Sequence, residues 1–362
     1  MKLEKISEGK AALYVSKGAK ISKELEVFYN PAKEFDRDLS VLLVKAAKKK
    51  TVLDLLAASG ARGIRLAKEA GCKVTFNEVS KDAVKVLKKN LKINKLKSKV
   101  YNLDANRFLA QSYDKFDFID IDPFGSPINF VFNSIKRLDK NGILAVTATD
   151  TAPLYGVYKY TCMKKYGSVP YHTKISHEFG LRILAKAVIE LAAKWNVSLT
   201  PIFAHATQHY YRIYFQHRRS HADELMKQIG FIHFCEKCKA RFSSGFNFQQ
   251  SCGCGGKLQS AGPLYLGSLW NEELVKQMES EQIKVFGRTK YHNFLAVLME
   301  ESRINIPYYF EIMEFAKIEP RTDAVIKKLN EIGFLVSRTH FSDKGIRTNA
   351  SISKLRELFD KA

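Results

Sequence analysis

Residues 52–63 read VLDLLAASGARG, and this stretch decides the fold of the chain. Its first half predicts a buried strand over Thr51–Leu56, because the run is almost wholly apolar. Its second half predicts a helix over Gly60–Ala70, so that small residues form the loop between strand and helix. Small residues let a ligand approach the backbone, and the helix N-terminus presents free N–H groups. The stretch therefore predicts a ligand-binding turn of an α/β sheet.

Strands and helices keep alternating beyond this stretch. The alternation predicts an α/β fold with a doubly wound, mostly parallel sheet, similar to a Rossmann fold. A long helix over His172–Trp195 precedes two further strands, Val197–His205 and Gln208–Gln216, which we expect to be antiparallel at the sheet edge. The remaining predicted strands are Lys73–Glu78, Val100–Leu103, Phe116–Ile121 and Gly142–Thr147, and the remaining helices are Ser80–Leu91 and one near Pro127–Leu138.

Acidic residues close successive predicted strands, at the edge where ligands bind in such sheets. Glu78 closes the second strand, where a carboxylate can hold both ribose hydroxyls, and Asp104 closes the third, where it can accept the adenine amino group. Each alone is more often a solvated loop residue. The turn suits a dinucleotide or S-adenosylmethionine, but the loop lacks the G-x-G-x-x-G spacing of dinucleotide sites. The acids together favour S-adenosylmethionine.

The strand over Phe116–Ile121 runs into Asp122-Pro123-Phe124-Gly125. An exocyclic amino group is a poor nucleophile, because its lone pair is delocalised into the base. The Asp122 carboxylate and the Pro123 carbonyl offer two adjacent acceptors for amine hydrogens, and Phe124 offers a ring on which a flipped base can stack. The alternative is an ordinary strand-to-loop turn, since Asp-Pro is common in turns. The position at a strand end favours transfer of a methyl group to an amine, with no metal needed for that step.

Charge points to an anionic partner. The 362 residues include 59 Lys and Arg against 37 Asp and Glu, for a formal net charge of +22. Such an excess favours nucleic acid first and an anionic membrane surface second, and the alternative is an incidental lysine excess. We expect no membrane span and no signal peptide, and hence a cytoplasmic protein. No obligate protein partner is evident.

Four of the six cysteines lie within 20 residues, as Cys235-x-x-Cys238 and Cys252-x-Cys254. Clustered thiolates at this spacing favour a closed structural zinc site. The second pair is shorter than the usual Cys-x-x-Cys, so His233 remains a possible substitute ligand. We nevertheless expect His233 to be a partly exposed surface histidine. A redox Cys-x-x-Cys is disfavoured, because no strand-to-helix context surrounds it. Cys72 and Cys162 stand alone and are expected to be buried or inert.

Helical patterns return after Gly267. Helices are predicted over Asn271–Glu281, Tyr291–Glu301, Tyr308–Phe315 and Arg321–Ile332, followed by a strand over Phe334–Phe341, a turn at Asp343–Gly345 and a terminal helix from Ser351. This order predicts a winged-helix-like or small α/β domain.

Basic and aromatic residues interleave at three places, and such clusters suit phosphate contacts and base stacking. For the third we favour an RNA contact, because it lies beside the basic turn Lys344–Arg347. For the first, an edge strand with an aromatic inner face is at least as good an explanation. The clusters are His209–Arg212, Arg288–His292 and Arg338–Phe341.

The chain resembles the tRNA (guanine-26, N2) dimethyltransferases, which are class I S-adenosylmethionine-dependent methyltransferases. Its DPFG also resembles the Asp/Asn-Pro-Pro-Tyr/Phe signature of amino methyltransferases, from which it departs by lacking the second proline. The resemblance covers nearly the full length and is carried by FYNP (28–31), RDLS (37–40), ASGARG (58–63), DPFG (122–125), TATDTAPL (147–154), AGPLYLG (261–267) and SRTHF (337–341).

The resemblance implies the following site and organisation. Its cofactor contacts fall on Arg37, Arg62, Glu78, Asp104 and Ala105, and its chemistry on Asp122, Pro123 and Phe124. The Arg37 guanidinium suits the methionine carboxylate of the cofactor, although an ion pair with Asp36 or Asp38 is the alternative. The loop Asp150–Pro153 should line the same pocket. We expect a methyltransferase domain (1–220), a zinc knuckle (221–266) and a C-terminal tRNA-binding domain (267–362).

Two rival functions share some of these features. A DNA adenine or cytosine amino methyltransferase shares the strand-end motif but usually needs a dedicated base-reading domain, which the sequence does not indicate. A non-catalytic RNA-binding protein would explain the charge, but Glu78, Asp104 and Asp122 are all present. The sequence does not indicate which tRNAs are substrates, how many methyl groups are added, or the oligomeric state.

Overall fold

The computed structural model describes residues 2–16, 27–207, 210–219, 221–246, 251–287, 289–316 and 320–360. An N-terminal antiparallel hairpin, not anticipated above, consists of β1 (Leu3–Glu8) and β2 (Ala11–Ser16). A 3₁₀ turn (Pro31–Lys33) then leads into α1 (Glu34–Ala46). Asn30 caps this turn, because its side chain accepts the Ala32 N–H at 2.9 Å, and Pro31 suits the first helical position.

The predicted doubly wound sheet is confirmed. Seven strands lie in the order β5-β4-β3-β6-β7-β9-β8, and the first five are parallel, whereas β9 is antiparallel to both of its neighbours. The elements are β3 (Thr51–Asp54), α2 (Ala61–Glu69), β4 (Lys73–Asn77), α3 (Lys81–Ile93), β5 (Lys99–Tyr101), α4 (Ala105–Gln111), β6 (Phe116–Ile121), α5 (Ile128–Ile135), β7 (Leu138–Ala148), α6 (Thr151–Tyr155), α7 (Lys159–Tyr166), α8 (Ser176–Ala193), β8 (Val197–Thr207) and β9 (Tyr210–Arg219).

The order of the strands places a crevice beside β3. Strand β3 lies between β4 and β6. The chain therefore passes to one side of β3 to form β4 and β5, and then to its other side to form β6. Ligands bind at such switch points. Asp54 of β3 stands opposite Asp120 of β6 in the strand register, which sets two carboxylates side by side at this edge. Gly60, at the following turn, has φ +79°, a conformation that glycine adopts without strain.

A three-stranded antiparallel sheet carries the cysteine cluster. After the short helix α9 (Ala222–Met226) come β10 (Ile229–Cys235), β11 (Arg241–Ser244) and β12 (Leu258–Tyr265), in the order β11-β10-β12. Strand β12 packs on α8, and one apolar core extends from Ala11 to Tyr309. The predicted module boundaries at 220 and 266 therefore fall within elements that share a core, and the division stays a prediction.

The C-terminal part has its own small core around Phe310, Leu329 and Ile346. Its elements are α10 (Glu272–Phe286), α11 (His292–Ser302), β13 (Phe310–Glu311), α12 (Thr322–Glu331), β14 (Val336–Thr339), β15 (Ser342–Thr348) and α13 (Ile352–Asp360), with a 3₁₀ turn at Ile312–Glu314. The predicted helix over Tyr308–Phe315 is wrong, because Phe310 pairs with Ile346 of β15.

The predicted turn at Asp343–Gly345 is also wrong, since these residues lie within β15. Gly345 serves a close approach instead: a Cβ at this position would lie 2.9 Å from the Tyr309 ring. In the ranges that the structure describes, no helix is both long enough and apolar enough to cross a membrane.

Candidate active site

An open cleft lies at the carboxyl edge of the sheet, and its space of about 430 Å³ includes open solvent. One wall comes from the segment before α1, and the other from the loop after β3 and the ends of β3 and β6. The lining residues are Phe28, Tyr29, Asn30, Lys33, Arg37, Asp54, Leu56, Ala57, Ala58, Ser59, Ala61, Arg62, Asp120 and Asp122.

Asp122 follows β6 and faces this cleft. Its Oδ1 lies 2.5 Å from Lys33 Nζ and its Oδ2 lies 2.7 Å from Arg62 Nη2, while its side chain keeps 15% of its surface exposed. Burial opposes its ionisation, but the charges of Lys33 and Arg62 outweigh burial and lower the pKa of Asp122 to about 2. The carboxylate is therefore charged at neutral pH and can only accept hydrogen bonds.

Arg62 is the centre of a buried network below the cleft. Its guanidinium contacts Asp36 at 2.6 Å, Asp120 at 3.0 Å and the Ser40 hydroxyl at 2.6 Å, in addition to Asp122. Arg212 of β9 pairs with the other carboxylate oxygen of both Asp36 and Asp120. These protein oxygens hold the Arg62 guanidinium, and it in turn fixes Asp122. A cofactor contact by Arg62 stays a prediction.

Asp54 is a carboxyl group at this edge whose pKa rises. Burial raises the pKa of Asp54, the charge of nearby Asp120 adds to the effect, and the resulting value is about 7. Its Oδ2 accepts the Gly63 N–H at 3.0 Å, which ties the end of β3 to the first turn of α2.

Arg37 lines the cleft and pairs with neither of its acidic neighbours in sequence. Its Nε and Nη2 bind the two oxygens of Glu8, at 2.6 and 2.5 Å, and Nη2 also donates to the Asn30 carbonyl. Asp36 instead pairs with arginines of the buried network, and Asp38 with Arg65 and Lys290. Among the described residues, Arg37 Nη1 has no partner, so the guanidinium retains two N–H groups for a ligand.

Glu78, Asp104 and Ala105 lie at the carboxyl ends of β4 and β5. The Glu78 carboxylate accepts the N–H of Ala58 at 2.7 Å and of Ser80 at 2.8 Å, so it holds the loop after β3 in shape. Asp104 is exposed and caps α4 by accepting the Arg107 N–H at 3.0 Å, and Ala105 is buried beside it. Their contacts to a cofactor stay predictions.

Pro123 and Phe124 are positioned by the loop that follows β7. The Thr149 hydroxyl accepts the Gly125 N–H at 2.6 Å and lies 3.4 Å from the Pro123 carbonyl. Phe124 is 46% exposed and meets the Phe28 ring edge-on, with centroids 4.6 Å apart. Thr149 thus joins the two loops, whereas Asp150 binds Lys165 and Tyr166.

The four clustered cysteines meet at one point. Cys235, Cys238, Cys252 and Cys254 have their Sγ atoms within 4.8 Å of one another, with Cys235–Cys254 at 3.6 Å and Cys238–Cys252 at 3.5 Å. His233 is not a surface residue, contrary to expectation. It is fully buried between the hydroxyls of Ser260 and Ser244, because β10 is the central strand of its sheet.

The first and third of the basic and aromatic clusters are largely internal, which contradicts the RNA contact favoured for Arg338–Phe341. Thr339 and His340 bind the buried carboxylate of Glu301, and Arg347 beside them is fully buried. In the first cluster Tyr210, Tyr211 and Arg212 are buried, because β9 lies inside the sheet; His209 and Arg288 lie outside the described residues. In the second cluster, Lys290 and Tyr291 bind Asp38.

Sequence reasoning missed Lys33 and Phe28, both of which line the cleft. Phe28 lies in the FYNP segment quoted above, two residues before the cap of the 3₁₀ turn. Nothing in the sequence distinguishes Lys33 from the many other lysines of the chain. An exposed cluster was missed as well: Tyr158 and Tyr160 are 59% and 82% exposed and alternate with lysines between α6 and the end of α7.

Comparison with known proteins agrees with this geometry. The family model described as "N2,N2-dimethylguanosine tRNA methyltransferase" matches residues 9–360. The chain is 35% identical to the tRNA (guanine(26)-N(2)/guanine(27)-N(2))-dimethyltransferase of Aquifex aeolicus, over 99% of this chain and 96% of the relative. It is 33% identical to the tRNA (guanine(26)-N(2))-dimethyltransferase of Thermococcus kodakarensis, over 99% of both chains.

A solved structure extends this similarity to three dimensions. Trm1 from Pyrococcus horikoshii in complex with S-adenosyl-L-methionine superposes with a TM-score of 0.88 at 31% identity, over 98% of this chain and 99% of the other. Sequence, fold and strand-end carboxylates therefore agree, and the chain belongs to the family of N2,N2-dimethylguanosine tRNA methyltransferases.

Proposed function

We propose that this protein transfers methyl groups from S-adenosylmethionine to the exocyclic N2 of a guanine in tRNA, at position 26. The observation that carries the proposal is the ionised, partly exposed carboxylate of Asp122 in the cleft, beside Pro123 and an exposed Phe124. Relatives of the whole chain are named for this reaction.

The residues of the cleft fit the cofactor. Arg37 offers the two N–H groups of Nη1 to the methionine carboxylate, and the small side chains of Ala57, Ala58 and Ser59 admit the ligand to the backbone. On this proposal Glu78 and Asp104, at the ends of the neighbouring strands, meet the ribose and the adenine. The cofactor supplies an electrophilic methyl group on its sulfonium.

Asp122 has two tasks in this proposal. It accepts hydrogen bonds from the amine hydrogens, which orients the nitrogen and raises its electron density. As N2 forms its bond to the methyl carbon, positive charge develops on nitrogen, and the fixed carboxylate stabilises that charge. A pKa of about 2 makes Asp122 a weak base. The methylated, positively charged amine is a far stronger acid than the neutral amine, so its proton passes to Asp122 or to water.

Phe124 and Phe28 hold the base. Phe124 is exposed and meets edge-on the ring of Phe28, which lines the cleft. On this proposal a flipped base stacks on one of the two rings. The second methyl transfer uses the same contacts, since the monomethylated amine still has one hydrogen for Asp122.

The cysteine cluster fits a structural zinc ion. Zinc–thiolate bonds of about 2.3 Å place tetrahedral sulfur ligands about 3.8 Å apart. Two of the sulfur separations, at 3.5 and 3.6 Å, are close to this value, and all four sulfurs lie within 4.8 Å of one another. Four thiolates leave no open position. We assign the ion a role in folding and none in methyl transfer.

The tRNA-facing surface includes the exposed cluster Val157–Lys165 in this proposal. It follows β7 and so lies at the same sheet edge as Asp122, and it alternates tyrosines with Lys159, Lys164 and Lys165. Tyrosine rings stack on bases and lysines contact phosphates. The C-terminal part (267–362) supplies the remaining tRNA contacts on this proposal, and the zinc knuckle spans 221–266.

The test is nucleoside mass spectrometry of a tRNA transcript incubated with the protein and isotope-labelled S-adenosylmethionine. We expect labelled N2-methyl- and N2,N2-dimethylguanosine, and no product from a matched transcript in which adenine replaces guanine 26. Label in a DNA duplex, or product from both transcripts, would contradict the proposal.

A further inference from the structure

Lys33 is a lysine almost wholly removed from solvent in the wall of the cleft. It ends the 3₁₀ turn before α1, and its side chain is only 9% exposed. Its ammonium lies 2.5 Å from Asp122 Oδ1 and 5.2 Å from the centre of the Tyr210 ring. Burying a lysine is costly unless its charge is paired. The ion pair with Asp122 therefore offsets the cost of burying Lys33 in the wall of the cleft.

The pair presents a donor next to acceptors. An ammonium has three N–H groups, of which Asp122 takes one, and a carboxylate has about four acceptor positions, of which Lys33 and Arg62 use one each. The wall of the cleft therefore presents a row of one positively charged donor, on Lys33, and two negatively charged acceptor atoms, on Asp122.

The Watson–Crick edge of guanine carries the complementary row. It has the O6 acceptor, then the N1–H donor, then the N2 amine. Adenine has an amino donor in place of O6 and an unprotonated N1. Against this wall, adenine would set its amine beside an ammonium and the N1 lone pair beside a carboxylate.

We propose that Lys33 is a specificity-determining residue that donates a hydrogen bond to O6 of the flipped guanine while Asp122 accepts from N1–H and N2–H. The inference rests on the proposed function and adds how the site selects its base. Arg62 cannot replace Lys33, because Asp36, Asp120 and Ser40 hold its guanidinium below the cleft.

The test compares two methyl acceptors that differ at C6. One tRNA carries guanine at position 26, and the other carries 2-aminopurine, which keeps the amine but has neither O6 nor N1–H. Single-turnover rates and kcat/KM are measured for both with the wild-type protein and with Lys33→Met, which keeps the length of the side chain but removes its charge.

We expect the wild-type protein to prefer guanine and Lys33→Met to lose much of that preference. A charge-assisted hydrogen bond accounts for a fall of about 10-fold or more in the kcat/KM ratio of guanine over 2-aminopurine. Lys33→Arg keeps a cationic donor and should retain more of the preference. Lys99→Met, which removes a lysine paired with Asp114 away from the cleft, should leave the ratio unchanged.

An equal loss of rate on both acceptors would overturn the inference, since Lys33 would then act only as the counter-charge of Asp122. Calorimetric binding of the cofactor to Lys33→Met confirms that the cleft is folded, so that an inactive variant is not mistaken for a selective one. Failure of the proposed function is seen separately, as absence of methyl transfer to guanine by the wild-type protein.

Discussion

Two clusters of buried charge differ in whether they face a cavity. At the cleft, Lys33, Asp122 and Arg62 neutralise one another, yet Asp122 stays partly exposed. In the second cluster, Arg347 of β15 binds Glu178 of α8 and Glu301 of α11, each at 3.0 Å, and all three side chains are fully buried. Both clusters satisfy their charges, but only the first leaves acceptor positions open to a ligand. Buried charge alone therefore does not mark an active site.

The largest effect expected concerns a third cluster, the four cysteines, which is closed like the second. Structural zinc contributes on the order of 10 kcal/mol to folding. Cys235→Ser should release the ion and loosen β10–β12, as measured by elemental analysis and hydrogen exchange, with cofactor affinity nearly unchanged. Cys72→Ser, at a cysteine outside the cluster, should keep the ion. Metal-free protein from a purification without chelator would refute the zinc assignment.

The next effect tests the closed charge cluster. Arg347→Met leaves Glu178 and Glu301 buried with one cation fewer, and breaking such pairs lowers the free energy of unfolding by about 3–5 kcal/mol. Arg338→Met removes an exposed pair with Asp323 and should cost less than about 1 kcal/mol. Urea denaturation measures both, and the folded Arg347→Met protein should keep its kcat. If Arg347→Met lowered kcat without lowering stability, the closed cluster would also act in catalysis, and its distinction from the open cluster around Asp122 would be wrong.

The sequence predicted the sheet and its carboxylates well, because strand periodicity and strand-end chemistry are local signals. Glu78, Asp104 and Asp122 are all at the strand ends where the pattern put them. The polar partners were not predictable in the same way. Asp122 meets Lys33 across 89 positions, and Arg347 meets Glu178 across 169, so tertiary packing alone brings each pair together.

The RNA contact predicted for the third basic and aromatic cluster failed for the same reason. Arg338–Phe341 has the composition of an RNA contact, but Glu301 on α11 turns Thr339 and His340 inward. Composition does not reveal a buried counter-charge on another element. By contrast, the exposed cluster at 157–165 had a usable signal, since tyrosines alternate with lysines in a segment that follows a strand end.

A third effect tests the open cluster. Asp122→Ala should lower kcat by about 10²–10³-fold, the typical cost of removing one preorganised electrostatic contact to the transition state. Cofactor affinity should change little, because Arg62 keeps its pairs with Asp36 and Asp120. The free energy of unfolding should fall, because the buried Lys33 loses the carboxylate that pairs with it. Asp122→Asn retains one acceptor and should be more active than Asp122→Ala. Methyl transfer by Asp122→Ala at the wild-type rate would assign the alignment of the amine to another residue.

The smallest effect concerns Asp104, which has a structural role as a helix cap and a predicted role in binding the cofactor. It caps α4 through the Arg107 N–H and is exposed at the strand end expected to meet the adenine. Asp104→Ser keeps a capping oxygen, so stability should hold while cofactor affinity falls about five-fold, for loss of about 1 kcal/mol. Asp104→Ala should lose the same affinity and also about 1 kcal/mol of stability. Calorimetry and thermal unfolding separate the two. Wild-type affinity in Asp104→Ser would leave Asp104 as a cap alone and shift the adenine contact to the backbone.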